Sequence, residues 1–336
     1  MNTELGVLLA LAGGVMVGNC MVPLNYLRTW RWENAWIVFS IVALLVLPWS
    51  FAFLRVPHLL GVYGQVNSGD FVMPFLYGAG WGVAQVLFGL AVVRIGMALS
   101  FAITIGLSAA LGTIVPILFK DPHVLATDRG FVLLLGLLLM VTGVAACSWA
   151  GHQRERRRSE RTEHPEQRSS LAGIFMAAAA GLLAPMLNYS LAFGGIFIQE
   201  AIRHHTKVAE APYAVWPVAL AGGAVPNLAY AIFLANKNRS WGKFVPAWPD
   251  LLLGATMGIL WMGSMAIYGM ATTFLGLLGA SVGWSIFQIC IILTANISGW
   301  LSGEWKGANL QLRAVLWCGL LLLGSATLAI AYGTHG

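Results

Sequence analysis

The chain has 336 residues; 58% are hydrophobic, only 10% are charged, and the net charge is +6. Soluble domains carry about 25% charged residues, so an ordinary soluble domain is excluded. Repeated apolar runs of about 18 residues or more mark a polytopic helical membrane protein. Closed barrels would read as short alternating segments, which are absent. The positive charge does not point to nucleic acid, because much of it sits in one segment between apolar runs.

In chain order, ten transmembrane helices are predicted, at 5–25, 35–54, 71–93, 96–119, 130–150, 171–194, 211–235, 250–270, 277–301 and 312–332. No basic stretch precedes the first run, so it is read as a membrane helix rather than a cleaved signal. Between the fifth and sixth lies GHQRERRRSERTEHPEQRSS, 151–170, the one clearly soluble segment. It is read as a basic cytoplasmic linker joining two halves, 1–150 and 171–336. Most lysines and arginines fall on the linker's side; Arg55, Lys120, Arg129, Arg203 and Lys207 lie on the other. By the positive-inside rule the linker side is cytoplasmic, and both termini are periplasmic.

The halves resemble each other. LGVLLALAGG (5–14) aligns with LAGIFMAAAAG (171–181), setting Gly6 on Gly173 and Gly14 on Gly181. LYGAGWGVAQ (76–85) aligns with LLGATMGILW (252–261), setting Gly78 on Gly254, Gly82 on Gly258 and Gln85 on Trp261. Five helices is an odd number, so the second half enters from the opposite side. The fold class expected is therefore all-α and polytopic, with ten helices as two inverted five-helix repeats. Secondary transporters use this architecture, with the site near the midplane between repeats.

Within 74–117 two apolar spans meet at a tight hinge, Arg94–Gly96. Small residues recur at helical spacing (Gly78 and Gly82, Gly106 and Ala110, Ser108 and Gly112), a pattern that lets helix backbones approach closely. Four cysteines, Cys20, Cys147, Cys290 and Cys318, lie in or at the ends of apolar spans and read as small core residues, without metal-ligand spacing.

Polar groups inside a bilayer are costly, so their placement is informative. Asn19 lies in the first helix and Trp81 and Gln85 in the third. Ser100, Thr104 and Ser108 share a face of the fourth, and Asn188 lies in the sixth beside Pro185 and Tyr189. Trp261, Ser264 and Tyr268 share a face of the eighth. Trp284 and Gln288 stand at i, i+4 in the ninth. An aromatic face beside amides suits a sugar or polyol: the ring stacks on the apolar C–H face, and amides bond the hydroxyls. The competing reading is that these side chains only tie helices together. Substrate-binding residues expected on the first reading are Asn19, Trp81, Gln85, Thr104, Asn188, Trp261, Tyr268, Trp284 and Gln288.

No Asp, Glu, Lys, Arg or His lies near the centre of a span, which favours a neutral substrate. There is no HExxH, GxSxG or P-loop pattern, so an enzyme is not expected, and no metal or cofactor is called for. Ionisable groups near helix ends are Glu4, Glu33, Glu200, Glu210, Asp250 and Glu304. The adjacent His204 and His205 fall in an outer loop.

Several motifs point further. The turn Arg28-Thr-Trp-Arg-Trp-Glu33-Asn-Ala-Trp36, the following Leu47-Pro48-Trp49, and Phe75-Leu-Tyr-Gly-Ala-Gly-Trp81-Gly82 resemble the bacterial L-rhamnose–proton symporter family, as do Arg94-Ile-Gly96-Met97 and Gly303-Glu304-Trp305. The resemblance covers most of the first half and the last third of the second. It implies a bacterial inner-membrane carrier of the drug/metabolite transporter superfamily, taking up a 6-deoxyhexose with protons. The central cavity would be lined by helices 1, 3, 4, 6, 8 and 9, and Glu33 falls on the family's motif acid, making it the coupling candidate. Pairing with Arg28 or Arg31 would instead make Glu33 structural. One departure stands out: the family's helix 9 can carry ionisable residues around its tryptophan, where this chain has Gly279, Ala280 and Ser281 before Trp284 and Phe287 and Gln288 after.

The function expected is a secondary transporter importing L-rhamnose or a related neutral sugar by alternating access, its partners a small sugar and the lipid bilayer, as a monomer or weak dimer. The alternatives are an exporter of amino acids or other metabolites from the same superfamily, and a membrane-embedded enzyme or lipid-handling protein. The last lacks the reactive cluster it would need.

Overall fold

The computed structural model describes residues 2–160, 171–244, 247–276, 279–301, 303 and 305–332. Part of the linker, with Arg161 and Arg168, and the acid Glu304 lie outside the described residues. Among the described residues every regular element is helical, as expected where each backbone polar group must be satisfied within its own segment. Ten helices among the described residues are long and apolar enough to cross a membrane. They are span 1 (Thr3–Tyr26), span 2 (Trp32–Arg55), span 3 (Ser68–Ile95), span 4 (Leu99–Lys120), span 5 (Asp128–Arg154), span 6 (Leu171–Arg203), span 7 (Trp216–Lys237), span 8 (Trp248–Phe274), span 9 (Gly279–Leu301) and span 10 (Leu310–Tyr332).

The elements differ from the sequence expectation where local chemistry changes the helix. The α-helix of span 1 ends at Asn19, and Val22–Tyr26 follows as a 3-10 turn around Pro23. In span 2, Pro48 has no N–H and its ring crowds the carbonyl one turn earlier. The preceding Ile41–Val46 widens into a π turn that absorbs the misfit. Span 6 breaks at Ala184–Pro185 and then runs nine residues beyond the expected end at 194, as Gly195–Arg203. This last helix buries Phe197 and Ala201 and carries Glu200 and Arg203. Hydropathy therefore fades while the helix continues. The helix of span 7 begins at Trp216, not 211, because Ala211–Ala214 with Pro212 is a 3-10 turn. The fifth helix runs on to Glu160, so the first ten residues of the linker extend it. The hinge at Arg94–Gly96 is present: Gly96 takes φ +82°, ending one helix and starting the next, a conformation open to glycine without strain.

Span 5 packs on span 10, span 3 on span 7, and span 2 on spans 7 and 8. Span 1 packs on spans 8 and 9, and span 6 on spans 3 and 4; spans 4 and 9 touch, as do 4 and 5, 9 and 10, 3 and 4, and 8 and 9. The glycines make the close approaches. A Cβ at Gly78 would fall on the Ala219 carbonyl of span 7, and one at Gly82 would lie 2.5 Å from the Gly223 oxygen. Gly106 has nothing within 4 Å, so it is not a packing glycine. One buried apolar cluster holds Trp81, Trp261, Tyr268, Trp284 and Phe287 together. A second, around Met140, Leu316 and Leu323, seals spans 5 and 10 against span 9.

Candidate functional site

Trp261, Met265 and Tyr268 are spaced at i, i+4 and i+7 on span 8 and are all buried, so one stripe of this helix faces inward. At its linker-side end the Trp261 indole meets Trp81 of span 3, with ring centroids 5.1 Å apart and planes tilted by 31°. Phe39 of span 2 stands edge-on to Trp261 at 6.1 Å. Further along, Tyr268 stands edge-on to Trp284 of span 9 at 5.8 Å, and Phe287 stacks on Trp284. Trp81, Trp261 and Trp284 are each 5% exposed. The aromatic centre is thus assembled from spans 2, 3, 8 and 9.

Asn188 ties the other side of this centre together. The break at Pro185 turns its side chain into the bundle, where Nδ2 donates to the Gly112 carbonyl (3.1 Å) and the Ala280 carbonyl (3.0 Å). Its Oδ1 accepts from the Tyr268 hydroxyl. One carboxamide therefore joins spans 4, 6, 8 and 9, with all its hydrogen-bonding groups in use. Trp284 Nε1 donates to the Ser108 carbonyl (3.1 Å), and Thr104 Oγ1 to the Ala177 carbonyl (3.0 Å). Gln288, 8% exposed, donates from Nε2 to Ser108 Oγ at 3.3 Å, while its carboxamide oxygen has no hydrogen bond among the described residues. Gln85 lies one turn from Trp81, half-buried, and makes no hydrogen bond among the described residues.

Of the expected binding residues, the structure thus brings Trp81, Trp261, Tyr268, Trp284, Gln288 and Asn188 into one buried assembly, with Thr104 on the adjoining seam of spans 4 and 6. Asn19 stands apart. It bonds Val15 of its own helix and accepts from Ser298 Oγ at 2.9 Å. Ser298 is ten residues from Gln288, about 15 Å along span 9 at the usual rise. Phe39, Phe287 and the Thr113–Ser285 hydroxyl pair also belong to the interior. The aromatic row Trp32, Trp36, Phe39 was legible as i, i+4, i+7 in the sequence. Trp32 stacks on Trp36 at 4.8 Å, Phe39 follows at 4.7 Å with its plane tilted by 40°, and Phe39 stands edge-on to Trp261, so the row runs from the linker-side surface to the aromatic centre.

Away from the helix ends, the buried polar side chains are hydroxyls and amides, among them Ser108, Thr113, Asn188, Ser264, Ser285 and Gln288. The buried acids Glu33, Asp250 and Glu200 stand near helix ends. Glu33 accepts from Asn238 Nδ2 at 3.0 Å, so its partner is an amide of the second half. At the opposite end the Tyr63 hydroxyl donates to the Ala214 carbonyl at 2.9 Å. Burial pushes its phenol above the ordinary range, which keeps it a neutral donor. The chemistry of these side chains, aromatic faces beside amides and hydroxyls, matches a neutral, polyhydroxylated molecule; among the described residues the interior presents no fixed charge.

A family model described as L-rhamnose-proton symport protein matches residues 1–335. The chain is 27% identical to the L-rhamnose-proton symporters of Yersinia pestis (strain Pestoides F) and Yersinia pseudotuberculosis, over 98% of this chain and 97% of theirs. It is 25% identical to that of Salmonella typhi, over the same shares. The similarity extends across both halves, further than the motifs quoted above.

Proposed function

The chain belongs to the L-rhamnose-proton symport family, and from that premise we propose how it binds and moves its sugar. It is a multi-pass inner-membrane symporter and not an enzyme: a proton-coupled sugar importer, with the proton as coupling ion and no cofactor. The substrate that fits the interior best is L-rhamnose or a related 6-deoxyhexose. One observation carries this: among the described residues the buried polar groups between the helix ends are all neutral, and they share the interior with three indole rings. A 6-deoxyhexose has a methyl group and an apolar C–H face for those rings, and hydroxyls for the amides.

Trp81, Trp261 and Trp284 supply the stacking surfaces. At 5.1 Å, Trp81 and Trp261 leave no room for a pyranose ring between them, so the sugar lies on a free face of the pair or parts it. Gln85 and the Gln288 carboxamide oxygen bond its hydroxyls. Asn188, Tyr268 and Thr104 hold the frame, and Asn19 lies toward the linker-side end. Glu33 is the coupling candidate.

The two halves, 1–150 and 171–336, are read as inverted repeats of the drug/metabolite transporter type, joined by the 151–170 linker on the cytoplasmic side, with both termini periplasmic. Two facts support the repeat. Exchanging each span with the one five places away carries the principal contacts onto one another: 3–7 onto 8–2, 1–8 onto 6–3, 1–9 onto 6–4, and 4–5 onto 9–10. The aligned glycines also meet corresponding partners. Gly6 abuts Phe274 and Leu275 at the end of span 8, and Gly173 abuts Arg94 and Ile95 at the end of span 3. Gly14 meets span 9 and Gly181 span 4; Gly78 meets span 7 and Gly254 span 2. One chain builds the whole aromatic centre, so a monomer suffices.

Binding to purified protein tests the substrate. L-rhamnose at about 100 times its Kd raises stability by about 2.7 kcal/mol through mass action, read as a higher unfolding temperature. The same shift with charged metabolites and none with deoxyhexoses would reject the sugar.

A further inference from the structure

Alternating access, on which this inference rests, requires the halves to part at one end while they stay closed at the other. The seam between them is fastened differently at its two ends. At the linker end, the loop after span 1 lies against the start of span 8. There the Asp250 carboxylate, 1% exposed, accepts from the backbone N–H groups of Arg28 (2.9 Å), Thr29 (2.8 Å) and Trp30 (2.9 Å) and from the Thr29 hydroxyl (2.6 Å). All four bonds cross between the halves. Smaller ones flank them: Asn34 Nδ2 donates to the Ser240 carbonyl at 3.0 Å, Lys243 Nζ to the Thr29 carbonyl at 3.3 Å, and Trp30 packs edge-on against Phe244.

The opposite end is fastened mainly by apolar packing, with Phe197 edge-on against Tyr63 and Phe71, and its polar ties are fewer. Arg55 and Glu210 meet at 3.2 Å, with Arg55 59% exposed, and Tyr63 bonds a single carbonyl. The buried acid there, Glu200, pairs with Arg203 of its own span and so does not cross the seam.

A buried carboxylate is tolerable only while donors are supplied or water replaces them. Asp250 therefore has two comfortable arrangements, with residues 28–30 wrapped on it or with the loop gone and water in its place. A partial separation leaves a desolvated charge. That makes the contact all-or-none, as a gate requires. We propose that Asp250 is the latch of the linker-side gate: it holds residues 28–30 closed over the end of span 1, and its release opens the path from the aromatic centre along Trp36 and Trp32. Asp250 is a positioning residue; it does not touch the sugar.

The chain carries a reporter. Cys20 lies just before the latched loop and is 1% exposed, while Cys147 and Cys290 are buried elsewhere. In Asp250→Asn the side chain keeps its shape, but it loses its charge and turns an N–H₂ group toward backbone donors. Full-length protein in proteoliposomes is treated with a membrane-permeant maleimide, and each cysteine is quantified by peptide mass mapping. The expected result is that D250N raises the modification rate of Cys20 about tenfold, equivalent to about 1.4 kcal/mol, with Cys147 and Cys290 unchanged. Glu210→Gln at the opposite end leaves Cys20 protected. Thr29→Val, which removes one of the four bonds, gives a smaller rise and keeps the test alive where D250N does not accumulate. Wild-type protection of Cys20 in both D250N and T29V overturns the latch. So does equal exposure of all three cysteines, which would make Asp250 a general fold anchor. Thermal stabilisation of the wild-type protein by L-rhamnose, measured alongside, reports the sugar reading separately.

Discussion

At the residue scale, Asn188 shows how a buried amide divides its work. Its spacing and depth marked it in the sequence as a sugar ligand or as a tie between helices, and the sequence left both readings open. Its partners are two carbonyls and a phenol from three other spans, so in this conformation its hydrogen-bonding capacity goes to the frame. Asn188→Ala removes the donor to the Gly112 carbonyl, which Pro116 cannot serve, while the Tyr268 hydroxyl keeps the Ala280 carbonyl as acceptor. A buried group left unpaired costs about 1–3 kcal/mol in general and toward the low end in membranes. The unfolding midpoint of the purified protein should fall whether or not sugar is present. Trp81→Ala and Trp261→Ala should behave differently. Each removes a face from a ring pair that is worth about 0.5–1.5 kcal/mol beyond its buried area. Affinity for L-rhamnose should drop about tenfold, as titration calorimetry would record, in addition to the roughly 3–5 kcal/mol of stability that emptying a buried tryptophan site costs. The amides at 85 and 288 were named from the sequence for their spacing after tryptophans. That their hydrogen bonds remain partly unused, while Asn188 and Thr104 are fully engaged, depends on neighbours from distant parts of the chain.

At the element scale, most of each span was legible because a helix in a bilayer satisfies its own backbone. Its presence depends on a local run of residues. The misses fell where polarity and helicity part company. Gly195–Arg203 is a helix with one charged face, and Pro212 makes a 3-10 turn of residues that are apolar enough to pass for a span. The small-residue rows show the same limit. Gly78 and Gly82 meet span 7 closely, while Gly106, equally well spaced, meets nothing. Gly78→Ala should therefore force spans 3 and 7 apart at an overpacking cost of about 1–3 kcal/mol or more, seen as loss of monodisperse protein on size exclusion. Gly106→Ala should be neutral or slightly stabilising, since alanine is the better helix former.

At the scale of the whole molecule, the function requires an inward proton gradient to drive sugar accumulation. Proteoliposomes with an acidic exterior should accumulate L-rhamnose, and a protonophore should abolish the accumulation. Glu33→Gln tests whether this acid carries the proton. The expected outcome is loss of gradient-driven accumulation with sugar exchange at equal pH retained. Unchanged accumulation would remove Glu33 from the coupling step and leave it as one of the fastenings of the linker-side seam, through Asn238.

The sequence by itself determined the ten crossings, the neutral interior, the kinship with sugar symporters and the candidate aromatic–amide faces. Each follows from composition, from a period within one helix or from a short motif, and each is local. Only the tertiary structure decided that Trp81 meets Trp261, that Asn188 and Trp284 spend their donors on the frame, and that Asp250 gathers residues 28–30. The physical reason is the range of the interaction. Backbone hydrogen bonds in a helix close within a few residues, so they can be read along the chain. Side-chain bonds such as that of Thr29 to Asp250 join residues more than 200 positions apart, and they exist only once the spans have packed.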